Sequence, residues 1–254
     1  MSRIKPLITF LCSAFFISTA YAKETAVVVY EAPVNALETT IQKQLQVSDT
    51  VESMAALSND TFKLSRPLNI VFGGEEGPLF DPETNEILIP YLFIDEISSR
   101  FKAVKYAETG VSIEDATSDV LMHTLFHELA HALISMYELP IVGKEEDAAD
   151  SLAVLLLIEY FEDGAEIAIS AAELFDLESM DSEIIEEQDL WDEHSLDAQR
   201  FYTTLCHVYG SDPHSYSEMP RQLGFSAERA EFCVDEYANM VNSWLMLLKP
   251  YLKN

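Results

Sequence analysis

The spacing of apolar residues changes along the chain, and those changes mark its elements. Thr25 to Tyr30 (TAVVVY) is a β-branched run stopped by Pro33, which predicts a strand. From about Val34 to Leu57 the apolar positions recur at helical spacing, which predicts an amphipathic helix. Leu68 to Phe72 (LNIVF) predicts a second strand, ended by Gly73-Gly74. Leu79-Phe80 and Glu86 to Ile89 flank Asp81-Pro82-Glu83-Thr84-Asn85, a turn-rich segment that predicts a hairpin. Gly73-Gly74-Glu75-Glu76-Gly77 has the glycines of a phosphate loop. Its two glutamates, and Pro78 behind it, leave no helix N-terminus to hold an anion, so it reads as a turn.

From about Ile94 onward the period is helical. Ser112, with Asp115 three residues later, starts a long helix running to about Tyr137. Pro140 and Gly143 break the pattern before a second helix from about Glu145 to Phe161. Its apolar run from Leu152 to Ile158 is too short for a membrane span and stops at Glu159, so it belongs to a core. Further helices are expected near Ala165–Leu177, Leu196–Tyr209 and Ala227–Leu248, the last capped by Ser226 and followed by Pro250. No internal repeat is visible. The pattern predicts an α+β fold with a small N-terminal sheet and a mostly helical C-terminal half.

The first residues have a different character. Arg3 and Lys5 precede an apolar run from Leu7 to Ile17, and Ala20-Tyr21-Ala22 closes the segment. This three-part pattern predicts a signal peptide over residues 1–22, cleaved after Ala22, with 23–254 left as a single domain. The run is too short to span a bilayer, so no stable membrane insertion is expected. Export places the chain in an oxidising compartment. Cys12 leaves with the signal, and the remaining even pair, Cys206 and Cys233, is expected to form a disulfide. Closing that loop would add roughly 3–4 kcal/mol in the chain-entropy model.

Charge then narrows the partners. The chain has 44 Asp plus Glu against 15 Lys plus Arg, a formal charge of −29. Loss of Arg3 and Lys5 takes it to −31. Such a surface repels nucleic acid and anionic membranes. Hydrophobic content of 48% and aromatic content of 11% can support a core, which excludes disorder of the whole chain. The stretch from Glu145 to Asp197 carries 19 acidic residues and no Lys or Arg. It lacks the alternating spacing of a calcium loop and reads as a solvated helical face.

The residues that point to chemistry are Phe126-His127-Glu128-Leu129-Ala130-His131, an HExxH. On a helix His127 and His131 differ by about 40° in azimuth and one turn in height, so both imidazoles reach one point. Glu128 lies about 60° from His131 on the same side, within reach of a water at that point. Two neutral nitrogens and a neighbouring carboxylate are the donor set of a zinc hydrolase, with one zinc per chain. The third ligand separates the zinc classes. Ile134 and Tyr137 stand where the metzincin extension needs Gly and His, which excludes that class. Glu145-Glu146-Asp147-Ala148-Ala149-Asp150 opens the second helix. Glu146 and Asp150 are four apart and point the same way. One can bind the metal while the other accepts the second ring N–H of a zinc histidine. Glu145 has Ala149 at the matching position and offers no such pair, so Glu146 is chosen as ligand and Asp150 as the residue behind the histidine.

HExxH followed by Glu-x-x-Ala-Asp resembles the gluzincins, zinc peptidases whose third ligand is a glutamate. Leu68 to Tyr91, the HExxH helix, Gly143 to Asp150, and Tyr209-Gly210-Ser211-Asp212-Pro213 together resemble a family of exported bacterial metallopeptidases. The resemblance covers most of the chain after residue 22, and the metal motif is its most specific part. It implies a zincin-like fold, with the small sheet packed on the active-site helix. It also implies His127, His131 and Glu146 as ligands and Glu128 as base.

The expected function is hydrolysis of a peptide bond by a metal-activated water, with a peptide or protein as substrate and the protein periplasmic or secreted. A further donor is needed for the developing oxyanion. Tyr209, His207, His214 and Tyr216 are the candidates, with Tyr209 first. His123, one turn before His127, is expected to be buried or to support a ligand rather than bind metal. Two alternatives stay open: an exported metal-binding protein without proteolytic activity, and an amidase acting on non-peptide substrates.

Overall fold

Alternation along β1 (Ala26–Tyr30) decides which face of the sheet is covered. Ala26 is buried, while Val27 and Val29 are exposed. This computed structural model describes residues 25–181 and 184–253, so the segment read as a signal peptide lies outside the described residues. β2 (Leu68–Phe72) pairs with β1 in parallel, so Ala26, Val28 and Tyr30 lie beside Leu68, Ile70 and Phe72 on the covered face. β3 (Leu79–Asp81) and β4 (Glu86–Ile89) form the expected hairpin. β4 returns parallel to β2, giving the order β1-β2-β4-β3. Ile87 and Ile89 extend the same apolar face. A sheet with one covered face needs only that alternation.

The helical stretch expected over residues 34–57 is two helices, α1 (Ala36–Leu45) and α2 (Asp49–Thr61). The reason is local. Ser48 accepts the amide N–H of Thr50 and caps a new helix, while Val47 in the joint is exposed. α3 (Tyr91–Ala103) follows the hairpin.

α4 (Ile113–Tyr137) starts where the sequence placed it. The Ser112 hydroxyl oxygen accepts the Asp115 amide N–H at 3.0 Å. It is apolar on almost every side because it is covered on almost every side: the sheet and α2 pack on it, as do α5 (Glu145–Tyr160) and α6 (Gly164–Ser179). Leu121, Leu125, Leu129 and Leu133 share one core with Ile70, Phe72, Ile87 and Ile89.

α7 (Asp197–Ser211) packs on α6. After the short α8 (Met219–Leu223), which is too brief for helical spacing to mark, α9 (Ala227–Leu248) packs on α7. The Cys206–Cys233 disulfide joins α7 to α9. Gly210 lets the two helices approach beside it, since a Cβ there would lie 2.3 Å from the Cys233 carbonyl oxygen. The fold is therefore α+β and mostly helical. No described helix is long and apolar enough to cross a membrane.

Candidate metal centre

α4 and α5 bring the HExxH and the acidic start of α5 together. Glu145, Glu146 and Asp147 occupy the first turn of α5, where the helix dipole favours negative charge. Packing of α5 on α4 then aims that turn at the two histidines. His127 Nε2 lies 3.1 Å from His131 Nε2 and 3.1 Å from Glu146 Oε2. His131 Nε2 lies 3.3 Å from the same Glu146 oxygen. The three donors form a nearly equilateral triangle. Metal–ligand bonds of the length zinc makes to nitrogen and oxygen, in tetrahedral array, give donor–donor edges of about 3.3 Å. Among the described residues these three donors therefore fit three corners of a tetrahedral cation.

Each imidazole is also held from behind. His127 Nδ1 is 2.7 Å from Asp150 Oδ1, and Asp150 is gripped in turn by Arg200. Arg200 donates Nε–H to Oδ2 at 2.8 Å and Nη2–H to Oδ1 at 3.0 Å. With Nδ1 carrying the proton toward Asp150, Nε2 presents its lone pair to the cluster. His131 Nδ1 is held at 2.9 Å by Glu145, whose side chain is half exposed. Glu145, passed over as a ligand, thus orients the second histidine.

The electrostatics follow from these contacts. Burial would lower the pKa of His127, but its hydrogen bonds to Asp150 and Glu146 raise it to about 9. Burial opposes protonation of His131 too, and Glu146 and Glu145 outweigh it. Burial alone would push the Asp150 and Glu146 carboxyls up. The Arg200 charge holds Asp150, and three imidazole contacts hold Glu146, far below the usual carboxylate range. Glu128 is buried beside them, and burial raises its carboxyl.

Three contributors were invisible to motif reading. His194, in the segment before α7, places Nε2 3.0 Å from Glu146 Oε2. It stands outside the set of donors that are all within 4.8 Å of one another, so it borders the cluster without closing it. Lys144 pins that segment by donating to the backbone oxygens of Asp192 and His194 at 3.0 and 2.8 Å. Arg200 is the third. His194 and Arg200 lie about 50 residues from the α5 turn they serve, so no spacing rule could have linked them.

The oxyanion candidates are not brought to the cluster in the same way. Tyr209 follows Arg200 by nine positions, about 180° around α7, and is half-buried on the far side. His214 is exposed, and the Tyr216 hydroxyl donates to Glu166 at 2.8 Å. His207 does share the Arg200 side and lines a cavity of about 240 Å³ with Asp150 and Arg200. Burial lowers its pKa to about 4. His123 is buried on α4, as expected, with its pKa lowered by burial to about 4.

Residues 30–248 match a protein family described as "Putative metallopeptidase". No curated protein and no solved structure matches the chain.

Proposed function

The chain belongs to this metallopeptidase family, and we propose that it is a zinc-dependent peptidase of the gluzincin type on a zincin-like fold. His127, His131 and Glu146 would hold one zinc, and the triangle of donors with edges of 3.1–3.3 Å is the observation that carries the reading. Zinc held there would polarise the scissile carbonyl and lower the pKa of a water toward neutrality. Glu128 acts as the base. Its buried, raised carboxyl suits it both to take a proton from water and to return it to the leaving amine. Asp150 fixes the His127 ring, and Arg200 keeps Asp150 charged and in place. His194, which borders the cluster through its contact with Glu146, stands nearer than Tyr209 to where the oxyanion would develop.

We read residues 1–22 as a signal and the protein as exported. The disulfide between Cys206 and Cys233 supports that compartment. Metal analysis of the purified protein should find one zinc per chain, lost in His131→Ala and in Glu146→Ala. Glu128→Gln should retain zinc and lose peptide cleavage. Absence of any stoichiometric transition metal from the wild type sinks the reading, and metal without cleavage of a broad peptide library favours a metal-binding protein instead.

A further inference from the structure

Two cavities meet beside the centre. The inner one, about 180 Å³, touches His127 and Glu128, and the outer one is about 480 Å³. His194 and Glu178 of α6 line both. Among the described residues the outer cavity is lined by Glu178, Asp189, Asp192 and Asp197 and by no lysine or arginine. Three of these acids are engaged: Asp189 accepts the Glu186 amide N–H, Asp192 that of His194, and Asp197 lies 3.7 Å from Arg200. Glu178 is not. Among the described residues its carboxylate makes no hydrogen bond and no ion pair, although it is partly buried in the wall between the cavities. Burial and the nearby Asp197 push it up to about 7, against the Arg100 and Arg200 charges, which draw it down.

His123 of α4 also lines the inner cavity. It is 3% exposed, its ring meets Phe175 edge-on at 5.7 Å, and its Nε2 has no hydrogen-bond partner among the described residues. Buried polar atoms are rarely left unpaired, and His123 is one of the residues that line this cavity. Phe93, Leu174 and Phe175 supply apolar wall between them. Arg200 also lines this chamber, but its guanidinium is spent on Asp150 and lies over the Phe175 ring at 3.9 Å.

We propose that the inner chamber is a subsite for a basic side chain of the substrate, lysine above all, with the ammonium group between the Glu178 carboxylate and the His123 imidazole. The alkyl stem would lie along Phe93, Leu174 and Phe175. A neutral imidazole nitrogen accepts one N–H, and the carboxylate accepts another and balances the charge. The chamber has room for one side chain, and the acidic outer cavity draws cations toward it. This rests on the peptidase reading and adds the substrate class to it.

The test uses the zinc-loaded protein and peptides that differ at one position, with lysine moved through each site and exchanged for norleucine or glutamate. At one position lysine should raise kcat/KM about tenfold over norleucine, and Glu178→Gln should remove most of that ratio. Glu178→Lys should turn the preference toward glutamate. Binding of the same peptides to Glu128→Gln, followed by fluorescence anisotropy, should show the same order without turnover. Cleavage with no lysine preference overturns the subsite and leaves the peptidase standing. Lysine-selective, Glu178-dependent binding with no cleavage by the wild type keeps the subsite and overturns the peptidase. If neither binding nor cleavage occurs, both fall. The wild-type comparison decides the first of these without any variant.

Discussion

On the sheet side of the core, Leu68, Ile70, Phe72, Ile87 and Ile89 are buried against other apolar side chains. On the other side of α4 the helices bury His123, His127, Glu128, Asp150 and His207. The first kind of burial is non-directional and follows from area removed from water. The second is unfavourable unless each charge finds a partner with the right geometry. His127, Asp150 and Arg200 meet that condition as a chain of three, whereas His131 relies on the half-exposed Glu145. The apolar side thus tolerates exchange of one hydrocarbon for another, and the charged side does not.

The contrast can be broken most sharply at Arg200. Arg200→Met keeps the stem but leaves Asp150 buried without its cation, and should cost about 3–5 kcal/mol of stability in denaturant unfolding. A loss below 1 kcal/mol would mean that the Asp150 charge does not depend on Arg200.

Within the charged side, the two histidines offer a smaller and finer comparison. Asp150→Asn should weaken zinc binding about 10–100-fold in a chelator competition. Glu145→Gln should weaken it no more than about fivefold, because its carboxylate is half exposed. Equal effects would show that solvent exposure does not separate the two supports.

The smallest change belongs to the sheet. Ile87→Val should cost about 0.5–1.5 kcal/mol and leave zinc affinity unaltered. A shift in zinc affinity there would show that the sheet sets the spacing of the donors, not merely the position of α4.

Much of the fold was legible because it rests on local signals. The β-branched runs at Ala26–Tyr30 and Leu68–Phe72, the Asp81–Asn85 turn, and the Ser112 and Ser226 caps all act within a few residues. Helical spacing continues across the break at Ser48, so periodicity predicts one helix there and only the Ser48 cap marks the joint. The core of the candidate site was legible for the same reason. His127, Glu128 and His131 share one helix, and Glu146 and Asp150 share another, so period alone puts each set on one face.

What period cannot supply is the pairing of one face with a distant one. The α+β pattern, the HExxH face, the Glu146/Asp150 face and the excess of negative charge all follow from the order of residues along the chain. Only the tertiary structure brought Arg200 to Asp150, Lys144 to the segment carrying His194, and His194 to Glu146. It also turned Tyr209 to the far side of α7 and set Glu178 and His123 on one cavity wall without a hydrogen-bond partner for either among the described residues. The physical reason is that a buried charge is satisfied by whatever the packing of helices places within about 3 Å, and that distance is independent of separation along the chain.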